Sequence, residues 1–301
     1  MKKISIIILL LCITIESRAY VQQQKVYPYL WKVIVQAQVS VDTTGDKMFY
    51  YSYVLINHEG NLGNIQTLEI DVSRDPSSIE IDTIGLRFRH DGYTEKFARE
   101  DFVDRSGKII PVGFLGAPTG DWDAAYTNDL TADFSVVGDY ILPGQRLGGF
   151  LMMSKGLPGI RRCIVSPRFD VDELFPNPEE DTTITGEYVD SIREAVKYRG
   201  WTVGPTAPPK DFFPSKWYEI LTDYTVRSLN LGWIKSQQTA DKYLAYFTTA
   251  KQELEKNDTN RARAIFQNVL RDVDIDSTSN LTSEAYALLR YNTEYLLEQI
   301  P

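Results

Sequence analysis

The sequence predicts a chain of two structural parts, an antiparallel β-sandwich followed by an all-α antiparallel helical bundle. Between Trp31 and about Ser166, apolar residues recur at every second position in short runs, as strands with one dry face require. After Pro214 they recur every three or four residues, the period of amphipathic helices. The segment from Gly200 to Pro209 that separates the two textures is dense in Gly and Pro. A chain of 301 residues has room for about two domains of ordinary size. Its 43% hydrophobic and 24% charged residues are those of a folded protein rather than a disordered one. With 32 basic residues against 41 acidic ones, the net charge is −9. That sets the surface against phosphate backbones and excludes nucleic acid as the main partner.

Residues 1–19 read as a secretory signal peptide. Lys2 and Lys3 form a basic start, Ile4 to Ile15 is almost wholly apolar, and Ser17 and Ala19 place small residues three and one positions before a cut. The apolar run is shorter than the roughly 20 residues of a spanning helix, and no second one follows, so no membrane span is expected after removal of the signal. The expected location is outside the cytoplasm: extracellular, cell-surface or periplasmic. Cys12 lies within the signal and follows Leu9-Leu10-Leu11, unlike a lipidated Cys. Cys163 is then the single thiol of the mature chain, so it has no intramolecular disulfide partner. Its alternating context, Arg162-Cys163-Ile164-Val165, is that of an inert buried strand residue.

The sandwich part spans 20–166. Val33, Val35, Ala37, Val39 and Val41 share one parity and Gln36, Gln38, Ser40 and Asp42 the other. Phe49–Ile56 is a richer strand, in which Tyr51 and Tyr53 share a face and Tyr50 looks away. Turn signals at Gly60-Asn61 and Gly63-Asn64 precede a strand through Leu68, Ile70 and Val72. Further strands are expected at Leu86–His90, Ile109–Phe114, Phe134–Val137, Gly149–Met153 and Cys163–Val165. The stretch Leu142-Pro143-Gly144-Gln145 through Phe150, followed by Ser154 to Gly159, resembles the closing hairpin of immunoglobulin-like sandwich domains in secreted bacterial proteins. The likeness covers about twenty residues and implies architecture alone.

Residues 167–214 are expected to bridge the two parts. Phe175 to Asp181 is a Pro-rich acidic loop, Tyr188–Tyr198 has helical spacing, and Gly200–Pro209 reads as a semi-rigid linker. The helical part, 215–301, then shows four apolar stripes. The first runs from Trp217 to Leu229 and stops at Asn230-Leu231-Gly232. The second runs from Ala240 to Leu254 and stops at Asn257. Asp258 caps the third, from Ala262 to Leu270, and Thr282 or Ser283 caps the fourth, from Ala285 to Leu296. Short connections between four such helices imply an antiparallel bundle able to fold from Phe212 onward.

Several pieces of this part occur in a recognisable order: Leu229-Asn230-Leu231-Gly232-Trp233-Ile234, Ala240-Asp241-Lys242-Tyr243-Leu244, Asn257-Asp258, Ala262 to Val273, and Leu281 to Leu289. Over about residues 216–300 the chain resembles the FIMAH domain, a small helical module appended to secreted and surface proteins of bacteria. The resemblance implies an accessory module outside the cytoplasm and implies no enzymatic activity. It departs at Asp274–Asn280, where the family tends to a Gly-bearing turn and this chain is acidic.

Two clusters could carry chemistry. Asp272, Asp274, Asp276 and Asn280 stand at positions one, three, five and nine of an oxygen-rich loop, the spacing of a calcium site. Ser277 and Ser283 stand where Gly and a closing acid are normally required, so a solvated inter-helix turn is the favoured reading and calcium the one cofactor raised. A dockerin module, with two such loops, is the rival. The second cluster is Asp121, Trp122, Asp123 and Tyr126, placed on a loop between strands. Aromatics beside carboxylates grip sugar rings, whereas a buried Trp122 would plug the end of the sandwich. Asp121 and Asp123 as the acid and base of a glycan hydrolase are the enzymatic alternative. With His58 and His90 the only histidines, no three-His zinc site and no HExxH helix exist. The expected function is therefore a secreted, non-enzymatic binding or assembly module for an extracellular protein or glycan. A glycan-directed hydrolase at Asp121/Asp123 and a structural protein without a specific ligand are the alternatives.

Overall fold

A computed structural model gives the architecture; the structure describes residues 26–42, 47–72, 102–103, 109–110, 112–118, 121–126, 131–175, 184–206 and 213–300. The expected signal segment 1–19, the expected strand Leu86–His90, the Pro-rich stretch 176–181 and residues 207–209 of the expected linker lie outside them.

The N-terminal part forms antiparallel sheets. Strands β1 (Val33–Asp42), β2 (Met48–Asn57), β9 (Arg146–Ser154) and β6 (Val112–Gly116) lie side by side in that order. A second sheet has the order β11 (Tyr198–Thr206), β10 (Leu157–Pro167), β3 (Ile65–Asp71), β8 (Thr131–Val136) and β7 (Trp122–Tyr126). Among the described residues, the short strands β4 (Phe102–Val103) and β5 (Ile109–Ile110) pair with each other alone. Alternation does what it predicted in β1, where Val33, Val35, Ala37 and Val39 are buried and the residues between them exposed. In β2, Phe49, Tyr51, Tyr53 and Leu55 are buried, while Tyr50 is partly exposed. Side chains from both sheets join one apolar core.

Two expectations of the sheet region are corrected. The stretch resembling a closing hairpin is not one: β9 pairs with β2 and β6, β10 pairs with β3 and β11, and the Lys155-Gly156 turn carries the chain from one sheet to the other. The Pro-Gly turn within it does form. Gln145 N–H donates to Leu142 O at 3.0 Å and Gly144 takes φ +83°, as a type II turn demands. The second correction concerns the expected linker, since Tyr198–Thr206 is strand β11. Pro205 is tolerated because β11 lies at the sheet edge, where a missing N–H need break no ladder bond.

Between β10 and β11 the chain forms the one-turn helix α1 (Val171–Leu174) and α2 (Gly186–Ala195), around Phe175, Ile192 and Val196, and β11 leads on to the long helices. Then follow α3 (Pro214–Asn230), α4 (Gln237–Glu255), α5 (Thr259–Asp276) and α6 (Ser283–Gln299). Each packs against the next, and α3 also against α6. Pro214 opens α3 at a position whose N–H would lack a helical partner anyway. Asn257, with φ +62°, leaves α4 in the left-handed region, and the Asp258 carboxylate caps α5 by accepting from Arg261 N–H at 3.0 Å. Thr282 precedes α6 but makes no side-chain cap bond.

Sheets and helices share that apolar core rather than meeting across a thin linker. Helix α6 runs beside β1, β10 and β11. Glu284 Oε1 accepts the Ala37 N–H at 2.7 Å, Tyr291 O–H donates to Val39 O at 3.2 Å, and Asn292 Nδ2 donates to Pro158 O at 2.8 Å. The Phe49 and Tyr291 rings meet edge to face at 5.3 Å. β1 is an edge strand, so the Glu284 and Tyr291 contacts supply hydrogen-bond partners that a further strand would otherwise provide.

Candidate functional site

The expected ligand cluster is divided by the strand it occupies. Trp122 is turned inward and only 5% exposed; its indole meets Phe150 edge to face at 4.9 Å and donates to Asp139 O at 3.2 Å. Asp121 and Asp123 flank it and are exposed, while the Tyr126 side chain lies outside the described residues. A loop was expected here, but residues 122–126 are strand β7, which fixes Trp122 toward the core. The aromatic is thus used up as packing and offers no face to a sugar.

The acidic residues placed in a calcium loop are instead helical. Asp272, Asp274 and Asp276 belong to α5, where residues two apart look in different directions. Asp272 accepts from Tyr246 O–H at 3.0 Å, and Asp274 turns to α6, accepting from Tyr286 O–H at 3.1 Å. Asp276 accepts from Lys242 Nζ and Tyr243 O–H, both at 2.6 Å, and from Asn280 Nδ2 at 3.1 Å. Burial works to raise the Asp276 pKa, yet these hydrogen bonds together outweigh it and hold the carboxyl below its ordinary value. A lysine ammonium sits where the cation was imagined, 3.5 Å from Asp272 as well. Among the described residues no group of three or more His, Cys, Asp or Glu side chains could hold a metal ion.

Cys163 is buried, and that burial pushes its thiol up to about 12, so the thiolate is suppressed. His58 is exposed in its turn, accepting from Gly60 N–H at 3.1 Å.

Two features escaped the sequence reading. The first is a carboxylate pair on the sheet face away from the core: Glu69 on β3 stands directly opposite Asp133 on β8. Burial, and then the Glu69 charge, push Asp133 up to about 6, and its Oδ1 is buried without a hydrogen bond. The parity of β3 already placed Glu69 on that face; Asp133 lay one residue before the strand expected at Phe134.

The second is an aromatic shelf leading into β1. Tyr29 and Trp31 stack with ring centroids 4.9 Å apart and planes 18° from parallel, and Trp31 is 65% exposed. The backbone beneath them is pinned from several sides. Leu30 N–H donates to Val196 O and Leu62 N–H to Tyr29 O, at 3.2 and 3.0 Å. The Asn61 amide completes the frame, accepting from Lys32 N–H at 3.0 Å and donating to Lys32 O at 2.8 Å. Tyr27 meets Phe175 at 6.4 Å, which ties the segment to α1 and α2. Alongside, on the Val26 and Pro28 side, a depression of about 180 Å³ is lined also by Leu62, Arg168, Asp170 and Glu173. The aromatic parity of Tyr27, Tyr29 and Trp31 was the available signal.

The described helices include none long and apolar enough to cross a membrane. Scans of the chain against protein-family models, curated proteins and solved structures find no match.

Proposed function

We propose that this chain is an extracellular, non-enzymatic binding module that meets a glycan or protein through the Tyr29–Trp31 shelf. In this reading the two sheets are the layers of a β-sandwich, immunoglobulin-like in layering though not in its closing hairpin. The four long helices are a FIMAH-like bundle that buttresses it. The observation that carries the proposal is a Trp ring exposed to solvent on a backbone fixed by hydrogen bonds. Exposing indole to water is unfavourable, and a rigid aromatic is what binding surfaces use, because little conformational entropy is lost on contact. The hydrolase alternative is the weaker reading, since the residue between Asp121 and Asp123 faces the core and both carboxylates are exposed to solvent.

A glycan array and a panel of surface extracts, probed with the wild type and with Trp31→Ala, test the proposal. Binding should fall at least about tenfold in the variant, the loss expected for a central aromatic anchor. Undiminished binding by Trp31→Ala, or cleavage of a bound glycan, would overturn it.

A further inference from the structure

A second patch lies where the five-stranded sheet meets α3. Arg162 on β10 and Trp201 on β11 are directly opposite in register, so their side chains share the sheet face away from the core. The Arg162 guanidinium carbon lies 5.7 Å from the Trp201 ring centroid, and that of Arg227, reaching across from α3, lies 4.7 Å from it. Trp201 keeps 36% of its surface exposed between them. Arg199, two residues before Trp201 on the same face, is exposed as well.

The charges of the patch are unevenly compensated. Arg227 is 3.6 Å from Asp223 and Arg199 is 2.6 Å from Glu194, whereas Arg162 is exposed and, among the described residues, pairs with no carboxylate. A chain of net charge −9 thus presents a local cationic surface with an indole at its centre.

We infer that this patch binds a carboxylated polysaccharide, with a sugar ring on Trp201 and its carboxylates on Arg162 and Arg227. The guanidinium fork matches a carboxylate bidentately, and the part of the indole left exposed between the two guanidiniums offers apolar surface to the C–H side of a pyranose. An acidic peptide would use the arginines but has no such ring to set on Trp201. Single-stranded nucleic acid also carries one charge per sugar and could set a base on Trp201, so it is the rival that the DNA titration below decides. The site is distinct from the Tyr29–Trp31 shelf and stands whether or not the shelf binds.

The test uses the full chain in affinity electrophoresis through gels containing polygalacturonate, a neutral polysaccharide, polyglutamate or no polymer. A single-stranded DNA oligonucleotide is titrated separately. Retardation by polygalacturonate alone is expected, weakening as salt rises. Arg162→Gln, at an exposed position, and Trp201→Ala should each weaken it about tenfold, while their circular dichroism matches the wild type. Should Trp201→Ala fail to fold, Arg162→Gln decides alone. Equal retardation by the neutral polymer, equal or stronger binding of polyglutamate or DNA, an unaffected Arg162→Gln variant, or no retardation at all would each overturn the inference.

Discussion

Replacing Glu284 with Ala removes the acceptor for the Ala37 N–H on an edge strand that α6 covers. Glu284 is only 4% exposed, so water has little access to take its place. A hydrogen bond to a charged group contributes about 1.5–3 kcal/mol, and a carboxylate in the first turn of a helix about 0.3–1 kcal/mol more through the helix dipole. The expected loss is therefore about 2–4 kcal/mol, and roughly half of that for Glu284→Gln, which keeps an oxygen in place. The assay is urea unfolding of the full chain, followed by tryptophan fluorescence and by far-ultraviolet circular dichroism. With a slope of about 3 kcal/mol per molar, the midpoint should fall by roughly 1 M. Because sheets and helices share a core, both probes should move together. A shift below about 0.2 M would show that the edge contact is worth little. A shift in one signal only would show that the helices unfold as an independent module.

Further outcomes follow from the titrating groups. Asp133→Asn should stabilise the protein by on the order of 1–2 kcal/mol at about pH 7.5, because the native carboxyl is raised to about 6 and ionising it costs stability. That gain should vanish near pH 4, where the native carboxyl is already protonated, and urea midpoints at the two pH values check it. Asp276→Asn should cost about 2–3 kcal/mol at neutral pH by weakening the bonds from Lys242 and Tyr243. Since the native pKa is lowered, the charge-dependent part of that cost should be present above the ordinary carboxylate range and fade as the solution is acidified through it. Calorimetric titration with calcium should give no micromolar binding, because Lys242 already bridges Asp272 and Asp276 where the cation would sit; a micromolar constant lost in Asp274→Ala would contradict this.

Much of the fold could be read locally. The parity of β1 was legible because one of its faces is dry, and the stops and caps at Asn257 and Asp258 were legible because their chemistry acts within a few residues. What failed depended on distant partners. The Lys155-Gly156 turn looks the same whether its strands pair or part, and only β2 and β3, far away in sequence, decide that they part. Gly200 to Thr206 looked unfit for a sheet, but an edge position relaxes the rule against Pro. Asp272 to Asp276 imitated a calcium loop, although the buried Val269 and Val273 extend the helical stripe through it. At the candidate site, Trp122 was legible both as a core plug and as an aromatic beside carboxylates, and its direction, which depends on strand pairing, decides for the plug. The pinning of Trp31 comes from Asn61 and Leu62 in a separate turn.

The bond between Ala37 and Glu284 spans 247 residues of sequence. During synthesis β1 therefore leaves the ribosome long before the side chains that close its outer edge exist, at roughly 5–20 residues per second. For that interval its free amides and carbonyls remain a template for any extended segment, including β1 of another nascent copy. The folding order of this chain is thus constrained from its far end, and premature termination before Glu284 should yield products that associate strand to strand.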